Sequence, residues 1–181
     1  MISLPNLLSL GRLLSVPLLV WLMLDGRFEA AFLLFFISGL TDAADGLIAR
    51  HFNSRTALGS YLDPLADKTL LVSVYVTLGH LGHLPVWLVI LVVFRDVTII
   101  GGVLLLQILL GAGPIRPSWI SKLNTAAQIA LAAVALANLG FAIGWSGLSQ
   151  ALIYLVGGTT ALSGLGYLVH WTRQLSGLEP G

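Results

Sequence analysis

Four aspartates, Asp42, Asp45, Asp63 and Asp67, stand in one short stretch of a chain with only eight acidic residues. In a helix, residues three or four apart share a face, so Asp42 pairs with Asp45 and Asp63 with Asp67. Two antiparallel helices joined by a short loop would bring all four carboxylates to one spot. Left uncompensated, such a cluster repels itself and resists ionisation. Hard divalent cations with oxygen ligands relieve that repulsion, and Mg²⁺ suits a shell that phosphates complete. Two ions about 3.5–4 Å apart are the arrangement that supports displacement at phosphorus. Gly46, Ala49 and Gly59 leave room for a ligand to approach the backbone closely, and Arg50 adds a planar donor fork suited to phosphate. From these residues alone two classes stay open: an enzyme acting on a phosphate ester, and a divalent-cation transporter whose acids form the ion path.

The elements that must position these acids are read from hydropathy. The chain is 57% hydrophobic and 9% charged, with a mean hydropathy of +0.94. A soluble globule of 181 residues has no room to hide so much apolar surface, whereas a bilayer solvates it. The expected fold is all-α and integral to the membrane: six transmembrane helices in a single domain over residues 1–181. Their expected spans are Leu7–Leu24, Phe28–Arg50, Tyr61–Leu81, Val86–Leu110, Ser121–Gly144 and Leu148–Trp171. The residues before Leu7 read as a short interfacial segment. Met1–Leu24 has no basic n-region, and it reads as a retained helix rather than a cleaved leader. Arg50 and Arg55, Arg116 and Lys122, and Arg173 all fall on one side, which places both termini and the acid cluster at the cytoplasmic face. The formal charge of +1, with no basic run, argues against nucleic acid as a partner. With no cysteine there is no thiolate metal site and no cysteine nucleophile.

The spacing Asp42-x2-Asp45-Gly46-x2-Ala49-Arg50-x8-Gly59-x3-Asp63-x3-Asp67 is similar, position for position, to the signature of the CDP-alcohol phosphatidyltransferases. The resemblance implies transfer of a phosphatidyl group from CDP-diacylglycerol to an alcohol, with release of CMP. It further implies that Asp42, Asp45, Asp63 and Asp67 bind Mg²⁺ or Mn²⁺, in all two ions. Asp67 would also act as the general base. Gly46, Ala49 and Gly59 would line the cytidine-diphosphate slot beside Arg50, and the enzyme would work as a homodimer. A bacterial inner membrane, with the site facing the cytoplasm, is the expected location, since no transit-type leader is evident.

Other segments bear on the acceptor. Pro5-Asn6-Leu7-Leu8-Ser9-x2-Arg12 resembles the opening of the glycerol-lipid members of the family, as does the run from Leu58 to Lys68. Arg95-Asp96 is a charged pair at membrane depth, read either as a structural ion pair or as a cation facing the acceptor phosphate. The opening of helix five, Ser121-Lys122-Leu123-Asn124-Thr125-x2-Gln128, looks most like the cardiolipin synthases. Phosphatidylglycerophosphate synthases more often carry a second lysine where Asn124 stands. Glycerol 3-phosphate is a small dianion that gains from two cations; phosphatidylglycerol carries one diester charge and is anchored by its tails. Arg95, Arg116, Lys122 and Asn124 are thus the candidate acceptor residues, with phosphatidylglycerol the expected acceptor and glycerol 3-phosphate the alternative. Ala49→Leu is expected to close the nucleotide slot; unchanged affinity of that variant for CDP-diacylglycerol would contradict the assignment.

Overall fold

A computed structural model describes residues 4–52, 59–110 and 119–175, with side chains described for 10–41, 66–102, 119–167 and 169. All regular structure among them is helical: α1 (Leu4–Leu24), α2 (Phe28–Phe52), α3 (Gly59–His80), α4 (Val86–Leu110), α5 (Trp119–Phe141) and α6 (Ser146–Leu175). Each corresponds to one apolar run in the sequence; α4 keeps the expected bounds, and the others shift at one or both ends. α1 starts at Leu4 instead of after an interfacial segment, because the fixed φ of Pro5 suits a first helical turn and its missing N–H has no partner to lose there. α1 and α3 end in Schellman motifs. Gly26, with φ of 75°, lets Arg27 N–H donate to Leu22 O at 2.8 Å and its own N–H to Met23 O at 3.1 Å. Gly82 does the same for α3, with His83 N–H on Leu78 O at 2.8 Å. α5 stops at Phe141 rather than Gly144, since Asn138 Oδ1 accepts the N–H groups of both Gly144 and Trp145, at 2.8 and 3.0 Å. That bond draws the chain out of the helix, and Ala142 takes a left-handed φ of 51°.

The chain divides into two compact units, Met1–Leu84 with Ala132–Ser146, and Pro85–Leu131 with Gly147–Gly181. In the first, α1 lies against both α2 and α3. Leu19 and Met23 of α1 are fully buried, as are Ala31 of α2, Val74, Tyr75 and Leu78 of α3, and Leu136 of α5. Phe32 meets Phe141 edge-to-face with centroids 5.6 Å apart, and Phe28 meets His83 likewise at 5.4 Å. Gly140 permits the closest approach: a Cβ there would stand 2.8 Å from the backbone nitrogen of Glu29 and 2.9 Å from its Cα. In the second unit, Arg95 of α4 donates through Nη1 to Asp96 Oδ1 at 2.7 Å. Its Nη2 donates to Ser121 Oγ of α5 at 2.5 Å and to Ser163 Oγ of α6 at 2.7 Å. One side chain so ties three helices.

Polarity in this fold runs opposite to that of a soluble protein. Ile90, Phe94 and Val97 on α4 are 63%, 65% and 64% exposed, while Arg95 and Asp96 between them are 4% and 2% exposed. Leu14, Leu18 and Trp21 on α1, and Tyr154, Leu162 and Leu165 on α6, repeat the pattern. An apolar exterior with charges and hydroxyls inside is stable only where the surroundings are apolar. Among the described residues, Trp119–Phe141 and Ser146–Tyr167 are helices long and apolar enough to cross a membrane.

Two stability predictions follow from these contacts. Gly140→Ala must push α5 off the backbone of Glu29 and is expected to cost about 1–3 kcal/mol, read as a lowered Tm in detergent. Arg95→Met removes the cation that matches the buried charge of Asp96 and is expected to cost about 3–5 kcal/mol, whereas Arg95→Met combined with Asp96→Leu should cost less than the single change. A double variant less stable than Arg95→Met would refute the clasp.

Candidate active site

The signature residues sit on unbroken helix. α2 continues through Asp42, Asp45, Gly46, Ala49 and Arg50 to Phe52, and α3 begins at Gly59 and carries Asp63 and Asp67 in its first turns. Asp42 and Asp45, and Asp63 and Asp67, are therefore one turn apart on their helices. Because α1 packs against both α2 and α3, it is the element that relates the two acid-bearing segments. The side chains of Asp42, Asp45, Ala49, Arg50 and Asp63 lie outside the described residues, as do the glycine surroundings at 46 and 59 and the whole of Arg116.

Asp67 is described, and it has a partner that the spacing of the acids does not reveal. Arg12 of α1 donates from Nη1 to Asp67 Oδ1. The two side chains differ in setting: that of Arg12 is 3% exposed, and that of Asp67 is 44% exposed. Arg12 is sunk between the helices, and its own carbonyl accepts a hydrogen bond from Ser15 Oγ at 2.7 Å. Beneath Asp67, Ala66, Leu70 and Leu71 are buried, so the carboxylate stands at the edge of an apolar core with one side open. A signal for Arg12 was present in the sequence, as a lone cation inside the first apolar run, but nothing in that run says which acid it meets.

The acceptor candidates are only partly brought together. Arg95 and Asn124 both face the interior of the second unit, Arg95 through the clasp described above. Asn124 is fully buried, and its Oδ1 accepts from Thr159 Oγ1 and Thr160 Oγ1 of α6, both at 2.8 Å. Ser121, Asn124 and Gln128 form one polar row along α5, each turn further from Arg95. Asn124 Nδ2 has no hydrogen-bond partner among the described residues. Lys122 is exposed on another face of α5, its Nζ 5.6 Å from the centroid of the Trp119 ring. Ser121 stood in the sequence only as the start of the helix-five motif, and Thr159, Thr160 and Ser163 went unnoticed, since isolated hydroxyls on apolar helices carry no distinguishing spacing.

The donor set suits a hard divalent cation. The four signature positions offer carboxylate oxygens only, at one-turn spacing, and the one described carboxylate, Asp67, is open on one side. Among the described residues no three His, Asp or Glu side chains gather, because three of the four signature acids lie outside them.

Known proteins resemble this chain over most of its length. Over 188 aligned residues the chain is 37% identical to the CMP-forming cardiolipin synthase of Rattus norvegicus, which takes in 95% of this chain and 62% of that protein. It is 32% identical to a probable phosphatidylglycerophosphate synthase of Mycobacterium tuberculosis (strain ATCC 25618 / H37Rv), over 98% of this chain and 85% of that one. It is 35% identical to the CDP-diacylglycerol--glycerol-3-phosphate 3-phosphatidyltransferase of Bacillus subtilis (strain 168), over 78% and 80%. The chain thus spans 62% of the length of the rat and human cardiolipin synthases that it matches. The description CDP-alcohol phosphatidyltransferase fits residues 2–162, from α1 into α6 and including every signature aspartate. By that match the chain belongs to the membrane-embedded, divalent-metal-dependent CDP-alcohol phosphatidyltransferase family.

Proposed function

We propose that this protein transfers the phosphatidyl group of CDP-diacylglycerol to the free hydroxyl of phosphatidylglycerol, forming cardiolipin and releasing CMP. The observation that carries the reading is the Asp67 carboxylate, part of the family signature, oriented by a buried arginine yet open on one side. The acceptor oxygen bonds to the lipid-side phosphorus while the bond from that phosphorus to the CMP oxygen breaks. Asp67 takes the hydroxyl proton, which requires a base within hydrogen-bond reach of the incoming group. Asp42, Asp45, Asp63 and Asp67 would hold two Mg²⁺ or Mn²⁺ ions, which when bound neutralise the pyrophosphate and stabilise the departing CMP. Gly46, Ala49 and Gly59 give the cytidine diphosphate its slot, and Arg50 meets a phosphate oxygen.

Among the described residues the interior of the second unit is neutral, which supports phosphatidylglycerol over glycerol 3-phosphate. Arg95 is offset there by Asp96, and the row beyond it is Ser121, Asn124 and Gln128, none of them charged. A dianion would gain little from such a surface, whereas a lipid with a single diester charge is anchored by its tails. The runner-up acceptor is glycerol 3-phosphate, which the name of the Bacillus subtilis relative includes. The relatives named are transferases and synthases, and the transporter reading of the acid cluster is set aside.

The remaining features belong to the same proposal. Each of the six helices has 21–30 residues, and about 20 residues of helix span a hydrocarbon core. Six spans with both termini and the acids on the positive, cytoplasmic side follow from that length and from the loop charges. Similarity to the Mycobacterium tuberculosis relative over 98% of this chain and 85% of that one supports the bacterial inner membrane as the host, while the rat and human relatives come from eukaryotes. The homodimer is carried over from the family resemblance.

The test is acceptor-dependent CMP release by purified protein given CDP-diacylglycerol and Mg²⁺ or Mn²⁺. Release with phosphatidylglycerol is expected. Release with glycerol 3-phosphate alone would overturn the acceptor, and no release with either would overturn the reaction. Asp67→Asn keeps the shape and removes the base, so turnover should vanish while CDP-diacylglycerol still binds; an active Asp67→Asn enzyme would remove Asp67 from the chemistry.

A further inference from the structure

Arg12 stands outside the aspartate signature, and the reaction as proposed uses it only as the partner of Asp67, with no part in turnover of its own. Three observations on it converge. It is a permanent cation, 5% exposed, in a helix whose other described side chains between Leu10 and Leu24 are apolar apart from Ser15. It reaches across from α1 to α3, fifty-five residues along the chain, to Oδ1 of Asp67. And α1 packs against both helices that carry the signature acids. A cation kept at membrane depth costs about 2.5–3.5 kcal/mol on insertion scales, and Asp67 is where it is placed.

We propose that Arg12 is a positioning residue for phosphatidyl transfer. Nη1 fixes the Asp67 carboxylate by its Oδ1 oxygen, and so sets the direction in which the base meets the acceptor hydroxyl. The guanidinium also offsets one negative charge of the acid cluster. It therefore opposes overly tight cation binding at Asp67 while keeping that carboxylate in register. The inference rests on the assignment of Asp67 to base and metal ligand, and it adds a helix, α1, to a site otherwise drawn from α2 and α3.

A geometric role of this kind separates turnover from binding, because misplacing a reacting group by about 1 Å costs roughly a hundredfold in rate. Arg12→Met is expected to lower kcat about a hundredfold and leave KM for CDP-diacylglycerol within about threefold. Its affinity for Mn²⁺, followed by electron paramagnetic resonance on the full chain in detergent without lipid substrate, should rise severalfold, since a cation beside the ligand has gone. Arg12→Lys retains the charge and loses the fork; it should bind Mn²⁺ like the wild type and still turn over slowly. It also serves as the reporting variant should Arg12→Met fail to fold. The effect of Arg12→Met on Mn²⁺ affinity should disappear in an Asp67→Asn background, as a double-mutant cycle requires of two groups acting through each other.

Unchanged kcat in Arg12→Met would overturn the proposal. So would a fall in kcat that tracks a lowered Tm with no gain in Mn²⁺ affinity, which is the mark of a purely structural pair. The same holds for a gain in affinity that survives in Asp67→Asn. Turnover retained by Asp67→Asn would instead defeat the assignment of the base, and the metal-binding cycle would still report on Arg12.

Discussion

An ionised side chain among apolar helices persists only where an opposite charge or a shell of hydrogen bonds meets it. Two ion pairs of this protein answer to that constraint. Arg12 is matched by Asp67 across α1 and α3, and Arg95 by Asp96 with hydroxyls from α5 and α6. In lipid, packing and polar contacts hold helices together with little help from the hydrophobic effect. The polar groups that make the interior chemically useful are thus also among those that hold its helices in place.

The two pairs are not equivalent. Arg95 spends its terminal nitrogens on its own helix bundle, and with Asp96 at 2% exposure the pair has almost no contact with the surroundings. Such a pair tends to break even against an apolar replacement, and its absence of one partner is what costs. The Arg12–Asp67 pair has one member buried and the other half open. A carboxylate that is anchored on one side and accessible on the other is suited to receive something from outside, whether a proton or a cation. Exposure, more than the presence of an ion pair, distinguishes Asp67 from Asp96.

Around these pairs the apolar surface is arranged with equal consistency. Glycine at 140 lets α5 touch the backbone of α2, Schellman caps close α1 and α3, and Asn138 ends α5 by capping two amides beyond it. Each device satisfies backbone groups or brings backbones close without adding charge. The large apolar side chains left over, such as Phe94, Ile90 and Leu165, point outward. The result is a helical protein whose exterior reads as lipid-facing and whose polar atoms are gathered where helices meet.

Much of this was legible from residue order, and the reason is local. Helices follow from the length of apolar runs and the glycine and proline residues between them, so six helices emerge at the expected places and α4 at the expected bounds, Val86–Leu110. The signature aspartates are likewise a matter of spacing on a helix, which the continuity of α2 and α3 preserves. What residue order left undecided was every pairing across helices. Arg12 with Asp67, Asn124 with Thr159 and Thr160, Arg95 with Ser121 and Ser163, and Gly140 with Glu29 join residues far apart in the chain. Periodicity says which face of a helix is polar but not which neighbour that face meets, because the choice depends on how helices pack, and many packings bury the same apolar stripe. The chain by itself determined that acids at helical spacing would stand among apolar helices; only the tertiary structure decided that Arg12 would hold Asp67 on one side and leave it open on the other, because that pairing depends on how α1 packs against α3.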